Sequence, residues 1–269
     1  MDRLWVEKYR PTTLSSLDYN FENKELLEKL GKCENMPHLL FYGPNGAGKK
    51  TRINCLLNEI YGDGVYKLKS DFWTHKVNSN SIEVPLLSSN YHIDITPSDA
   101  ENYDRVVLQS MIKETASNTA VVSKSSRNFM VIVINEVDQI STEAQAALRR
   151  TMEKYVNKTR MILCCENIGK VIQPLRSRCL LIRVPAPTNE DIFKVLQRVK
   201  VAEAPSMSDV WLKNIAEASG RNMRRAILQM QMCKMKNLVS NSQDTFIPEW
   251  KLHVRDLTRR IYTEQTPRQ

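Results

Sequence analysis

The stretch His38-Leu39-Leu40-Phe41-Tyr42-Gly43-Pro44-Asn45-Gly46-Ala47-Gly48-Lys49-Lys50-Thr51 decides the fold. Its first five residues form a short, mostly apolar run with the composition of a buried strand. Beyond the glycines, Ile53, Leu56, Leu57 and Ile60 recur at helical spacing up to Tyr61. A strand, a glycine loop and a helix in that order are the context in which G-x-x-x-x-G-K-[ST] binds phosphate. Glycines let backbone N–H groups turn inward around phosphate oxygens. The helix N-terminus adds the positive end of its dipole, and Lys49 supplies a point charge. A merely structural glycine turn is the weaker reading, because it needs neither the flanking elements nor the lysine.

The loop departs from its pattern at one place. The Ser or Thr whose hydroxyl would meet Mg²⁺ is Lys50, and Thr51 comes one residue late. One helical step is about 100°, so the Thr51 hydroxyl is expected to face elsewhere. Lys50 is expected to bring a second ammonium toward the phosphates and so stand in for part of the metal's charge.

Downstream, Phe129 to Ile134 is apolar without alternation, as in a parallel strand covered on both faces. It runs into Asn135-Glu136-Val137-Asp138. In P-loop ATPases an Asp at this strand end supports Mg²⁺, and a following Glu orients water. Here the Asp is replaced by Asn135, while Glu136 is kept. Two metal-site departures in one chain predict a site that binds nucleotide and hydrolyses it poorly or not at all.

Other segments fit an α/β pattern. Residues 26–30 have helical spacing, and 65–69 alternates weakly as a strand before a hairpin or surface insertion that runs to residue 90. Tyr91–Ile95, Met161–Cys165 and Leu180–Val184 read as strands. Helices are expected from about Asn102 to Ser117 and from a Ser141-Thr142-Glu143 cap to about Tyr155, with a polar connector at Ser117–Asn128. Alternating strands and helices predict a parallel sheet. After Pro185-Ala186-Pro187 only helices follow: Asn189–Val199, Ser208–Ala218 and Asn222–Lys234. A domain boundary is therefore expected there, with a nucleotide-binding domain at 1–185 and helices alone beyond it.

Composition narrows the class. The chain has 269 residues, of which 42% are hydrophobic and 26% charged, enough for one or two folded domains and too apolar for wholesale disorder. It has no apolar run of about 18 residues, so no membrane span is expected. The N-terminus lacks an apolar secretory core, which makes an intracellular location the expectation. The six cysteines form no C-x-x-C pair and the four histidines do not cluster with them, which argues against zinc and a disulfide framework. Cys164-Cys165 reads as core filling. Of the formal charge of +9, nearly all lies in the second half: residues 1–160 carry 21 basic and 20 acidic side chains, and 161–269 carry 18 and 10. That asymmetry points to nucleic acid first and an acidic protein second.

Pro174-Leu175-Arg176-Ser177-Arg178-Cys179 precedes the last strand. Two arginines at a strand edge suit a finger for a neighbour's γ-phosphate. By spacing alone, a solvated surface pair is the stronger reading.

Taken in order, five boxes resemble those of a replication factor C small subunit, a eukaryotic clamp loader of the AAA+ class. They are Trp5-Val6-Glu7-Lys8-Tyr9-Arg10-Pro11, the Gly43–Thr51 loop, Asn135–Asp138, Ala147-Leu148-Arg149-Arg150-Thr151-Met152-Glu153-Lys154-Tyr155, and Ser177-Arg178-Cys179. The Gly-Lys-Lys-Thr and Asn-Glu variants are similar to the small subunit whose nucleotide site is degenerate.

The resemblance, which spans residue 4 to about 236, implies an AAA+ α/β nucleotide-binding domain at 1–185 and a helical lid at 186–240, followed at 241–269 by a linker and the start of a truncated collar domain. It implies a nuclear subunit in a five-membered arc that opens a sliding clamp and loads it on primer–template DNA, with DNA repair among its roles. ATP or ADP is the implied cofactor, with Mg²⁺ doubtful, and other replication factor C subunits, the clamp and DNA are the implied partners. The complex would be a DNA-dependent ATPase. Val6, Tyr9, Arg10 and Pro11 would border the adenine. Gly43, Asn45, Gly46, Ala47, Gly48, Lys49, Lys50 and Thr51 would form the phosphate loop, and Glu136 would be the residual acidic residue. Arg178 would be the finger in trans, and Arg224, in Asn222-Met223-Arg224-Arg225, the lid arginine. Val107, Leu108 and Met111 would meet the clamp, against the reading that they are a core face. Arg105 and Thr142 would touch DNA phosphates, against the reading that they are an ordinary surface charge and cap.

Two further departures count. The strand that ends in a sensing Asn in this family reads Cys164-Cys165-Glu166-Asn167, putting Glu166 at the sensor position. The family's collar domain is also expected to be missing, with residues 249–261 as its first helix. An independent P-loop ATPase acting on DNA and an interaction module that has lost nucleotide are the competing functions. Lys50 and Asn135 speak against the first, and the intact glycine loop with Lys49 against the second.

Overall fold

The computed structural model describes residues 3–77, 80–98, 103–118, 129–205, 207–235 and 249–263. The expected connector beyond residue 118, the end of the lid after 235 and the linker up to 248 lie outside the described residues. The chain divides into two compact units, one of Arg10–Pro187 and one that joins the segment ending at Tyr9 to the segment starting at Thr188.

In the first unit, strands β1 (Leu39–Tyr42), β4 (His92–Ile95), β5 (Met130–Ile134), β6 (Thr159–Cys165) and β7 (Leu180–Arg183) run parallel in the order β4-β5-β6-β1-β7. The residues alternate between two buried faces. Leu39 and Phe41 of β1, Val131 and Val133 of β5, and Ile162 and Cys164 of β6 pack with Leu27 of α2 (Phe21–Lys32) and with Ile53, Leu56 and Leu57 of α3 (Lys49–Tyr61). Leu40, Ile132, Ile134 and Leu163 face the other way, toward α4 (Asp104–Asn118) and α5 (Thr142–Lys154). Because both of their faces are covered, β1, β5 and β6 read as continuous apolar runs rather than as alternating ones. Cys164 and Cys165 are 8% and 1% exposed, so they are core residues. Burial pushes their thiols up to about 11 and about 12, which keeps them protonated.

The sheet is not wholly parallel. β2 (Lys69–Val77) and β3 (Asn80–Ser88) form a hairpin, and β3 pairs antiparallel with β4, extending one edge. The expected strand at 65–69 is corrected: Val65 lies in the 3-10 turn Asp63–Tyr66, and the strand begins at Lys69.

Among its described residues the second unit is all-helical: α1 (Trp5–Lys8), α7 (Asn189–Glu203), α8 (Asp209–Ala218), α9 (Met223–Met235) and α10 (Glu249–Thr263). Thr188 and Asp191 close a capping box on α7, and Ser208 caps α8 by accepting the Trp211 N–H, contacts worth about 1 kcal/mol each. The sequence places α1 with the nucleotide-binding domain; in the structure it packs in the helical unit. The Trp5 N–H donates to Gln231 Oε1 at 3.0 Å. Glu203 accepts from Lys8 Nζ at 2.5 Å and from Tyr9 Oη at 2.7 Å. These donors hold the Glu203 carboxyl down at about 2.

Candidate nucleotide site

The glycine loop leaves β1 at Gly43 and enters α3 at Lys49. Gly43 has φ 151°, and a Cβ there would lie 2.0 Å from the Val184 carbonyl oxygen. Gly48, with φ 85°, is the N-cap of α3. A Cβ there would lie 2.6 Å from Tyr19 Oη and 2.9 Å from Arg52 Nη1. Only glycine fits either place.

Beneath the loop, Arg52 is fully buried with its guanidinium 4.5 Å from the Tyr19 ring. Its Nη1 donates to the carbonyls of Ala47 at 3.2 Å and Gly48 at 3.4 Å, while Nη2 donates to the Tyr19 carbonyl at 3.0 Å. Tyr19 Oη also donates to the Ala47 carbonyl, at 3.0 Å. The Ala47 and Gly48 carbonyls are thus tied down beneath the loop, which fixes the turn into the N-terminus of α3, the end of a helix that suits an anion. Lys49 Nζ donates to the carbonyls of Gly43 at 2.6 Å and Pro44 at 3.0 Å, so the ammonium is held at the loop.

Asp138 is buried, and its Oδ2 accepts the backbone N–H groups of Glu166 at 3.2 Å and Asn167 at 2.9 Å. This fixes the end of β6, and Glu166 Oε1 accepts the N–H of Asn45 at 3.3 Å. Glu166 thus reaches the glycine loop with a carboxylate. Glu136 is exposed at the end of β5 with φ 52° and accepts from Ser98 Oγ at 3.3 Å. A non-glycine residue in the left-handed region stores on the order of 1 kcal/mol or more, a cost concentrated at functional sites.

Lys50 Nζ lies 3.0 Å from Asp94 Oδ2, and Asn135 Nδ2 donates to Asp94 Oδ1 at 2.5 Å. These residues do not fit a P-loop divalent ion. No hydroxyl follows Lys49, Asn135 brings an amide nitrogen, and Asp94 is engaged by an ammonium. Among the described residues no group of three or more His, Cys, Asp and Glu is arranged to hold a metal. Thr51 is half-buried on α3, one residue beyond Lys50.

The remaining candidates are spread over the molecule. Val6 and Tyr9 lie in the helical unit and Arg10 and Pro11 in the other. The Pro11 carbonyl accepts the Cys55 thiol at 3.4 Å. Arg224 is exposed on the first turn of α9. Arg178 is half-buried: its Nε donates to Glu153 Oε1 at 2.7 Å and its Nη1 to the Pro174 carbonyl at 2.8 Å. Arg178 holds the Glu153 carboxyl below its ordinary range. Arg105 and Thr142 come together at neighbouring helix N-termini. Asp104 accepts the Ser141 N–H at 2.6 Å, linking α4 to the cap of α5, and Arg105 Nη1 donates to Glu143 at 3.2 Å.

One expectation is corrected. Val107, Leu108 and Met111 are 0%, 0% and 2% exposed within the core between α4 and the sheet, so none of them presents a clamp-binding surface. Sequence reading also missed Tyr19, Arg52 and Asp94. The one available signal was Arg52 itself, a charge between Ile53 and Lys49 on a helix whose other periodic positions are apolar.

A parallel sheet, a lysine-bearing glycine loop at a helix N-terminus, and an acidic strand end define a P-loop nucleotide-binding chain of the AAA+ class. Residues 22–188 match the family model described as DNA polymerase III, delta subunit, and residues 194–235 match the RCF1/5-like, AAA+ ATPase lid domain. The chain is 46% identical over 267 residues to replication factor C subunit 3 of Mus musculus and to that of Homo sapiens, covering 98% of this chain and 75% of each relative. It is 42% identical over 270 residues to replication factor C subunit 5 of Schizosaccharomyces pombe, covering 98% and 75%. The chain belongs to the replication factor C subunit 3/5 family. The RuvB Holliday junction branch migration motor of Thermotoga maritima shares the fold, with a TM-score of 0.60 at 16% identity over 88% of this chain and 69% of that one.

Proposed function

We propose that this chain is the nucleotide-binding, weakly or non-hydrolytic small subunit of a replication factor C clamp loader. It works in the nucleus with the other subunits of that complex to open the sliding clamp and place it on primer–template DNA. The observation that carries the nucleotide role is the loop Gly43–Thr51, with its Ala47 and Gly48 carbonyls tied down by Tyr19 and Arg52 and Lys49 held against those of Gly43 and Pro44.

Within this reading, Gly43 to Thr51 hold the phosphates of ATP or ADP, Val6, Tyr9, Arg10 and Pro11 border the base, and Arg224 senses the nucleotide from the lid. Hydrolysis is slow because no carboxylate stands at position 135 and Glu166 occupies the sensor position. Glu136 remains as the only acidic residue of its pair. Arg178 serves an adjacent subunit's ATP and is parked against Glu153 until that subunit docks. Arg105 and Thr142, at two adjoining helix N-termini, take DNA phosphates, which carry no sequence information and so suit loading at any sequence. The exposed Arg105–Glu143 pair contributes little to stability and exchanges readily for a phosphate.

The test is titration of fluorescent ADP and ATP into the purified chain, with Lys49→Ala beside it, followed by a single-turnover ATPase assay. Saturable binding lost in Lys49→Ala, with turnover far below that of ordinary P-loop ATPases, supports the reading. Binding indifferent to Lys49→Ala, or Mg²⁺-dependent turnover at ordinary rates, contradicts it.

A further inference from the structure

We propose that Lys50 is a resident cation of the nucleotide site, held in place by Asp94 and Asn135, and that nucleoside polyphosphate binds here without a divalent metal. The inference rests on the nucleotide-binding reading of the loop.

Lys50 occupies the second position of α3, directly after the phosphate lysine, where the metal-binding hydroxyl of a P-loop would stand. Asp94, one residue before the end of β4, is the group that fixes it. The parallel pairing of β4 with β5 sets Ile95 beside Ile134, and the Asn135 N–H continues the ladder by donating to the Ile95 carbonyl at 2.9 Å. That register brings Asn135 Nδ2 within 2.5 Å of Asp94 Oδ1 and leaves Oδ2 to Lys50 Nζ at 3.0 Å. The Asp94 side chain is 10% exposed and that of Lys50 40%, so the carboxylate is an anchor and the ammonium reaches solvent at the loop.

This geometry explains why residue 135 is an amide. An aspartate there would set two carboxylates in hydrogen-bond contact, and one would have to stay protonated or recruit a cation. The charges also balance. In a metal-bearing loop Mg²⁺ and its supporting carboxylate together contribute one positive charge. Lys50 and Asn135 contribute the same one positive charge with no metal, counted before the Asp94 carboxylate that anchors Lys50 and offsets it. The two departures are therefore one compensated change.

The experiment measures ADP and ATP affinity of the full chain by calorimetry, once with Mg²⁺ and once with EDTA. The expected result is a dissociation constant that changes by less than about twofold, with Lys50→Ala weakening binding by about tenfold in EDTA. Binding that weakens about tenfold or more in EDTA overturns the inference and leaves the nucleotide reading standing, as does a Lys50→Ala chain whose affinity is unchanged. Absence of binding in both buffers overturns the nucleotide reading itself and the inference with it. The wild-type comparison needs no variant to fold. As a further readout, the double variant Lys50→Ser, Asn135→Asp is expected to bind ADP better with Mg²⁺ than with EDTA, and equal affinity in the two buffers counts against the compensation.

Discussion

The Glu166 carboxylate accepts a hydrogen bond from the backbone N–H of Asn45, 3.3 Å away, inside the phosphate-binding loop. An acceptor side chain thus uses a donor that an anionic ligand would use, and adds a negative charge beside it. Glu166→Gln is expected to tighten ATP binding several-fold and ADP binding less, because like charge disfavours the more highly charged ligand. Calorimetric titration of both nucleotides checks this, and equal or weaker ATP affinity in the variant contradicts it.

On the proposed reading, Arg178 bears on the complex more than on this chain. Its guanidinium is held by Glu153 and the Pro174 carbonyl, away from the glycine loop's own hydrogen-bond set. Arg178→Ala is expected to leave this chain's nucleotide affinity unchanged. In the assembled loader it should cost about 10³-fold in hydrolysis at the site it serves, the scale of a lost arginine finger. An unchanged ATPase of the complex would show that the arginine only supports structure.

The floor of the loop separates stability from binding. Arg52→Ala removes a buried cation and leaves the Tyr19 carbonyl without that donor, so a loss of about 2–4 kcal/mol in denaturant unfolding is expected. Tyr19→Phe removes one of the two hydrogen bonds to the Ala47 carbonyl and should cost about 1 kcal/mol. That variant should weaken nucleotide binding several-fold while the chain remains folded; unaltered affinity would mean that the loop holds its shape without the tyrosine.

Acid sensitivity is expected from His38. The ring is buried, and its Nδ1 accepts the Met161 N–H at 3.0 Å, which requires the neutral form. Burial, with Arg160 nearby, lowers its pKa to about 4. With the folded value below the unfolded one near 6.5, the unfolded chain takes up the proton first. Stability is therefore full above about pH 6.5 and declines as pH falls toward 4, by about 3 kcal/mol at most. Chemical unfolding of the wild type and of His38→Gln between pH 7.5 and 4.5 checks this. The variant should lose the part of the slope that begins near 6.5, and identical slopes would contradict the assignment.

The parallel sheet was legible because β1, β5 and β6 are covered on both faces, which leaves unbroken apolar runs such as Met130–Ile134. The loop was legible because its glycines and Lys49 are local in sequence. Features that depend on which elements meet were not. The spacing of Val107, Leu108 and Met111 reports a helix face and is the same whether a core or a partner covers it. Asp94 reads as one more polar residue in an alternating strand until β5 is set beside it. The placement of α1 in the helical unit depends on Glu203, nearly two hundred residues away from Lys8 and Tyr9.

Membership of a working clamp loader is open to test by co-expression. This chain, expressed with the other replication factor C subunits and run on a sizing column, is expected to elute with them in a stoichiometric complex whose DNA-dependent ATPase falls when Arg178 is replaced by alanine. Elution of the chain alone, with the other subunits assembled without it, would contradict the account.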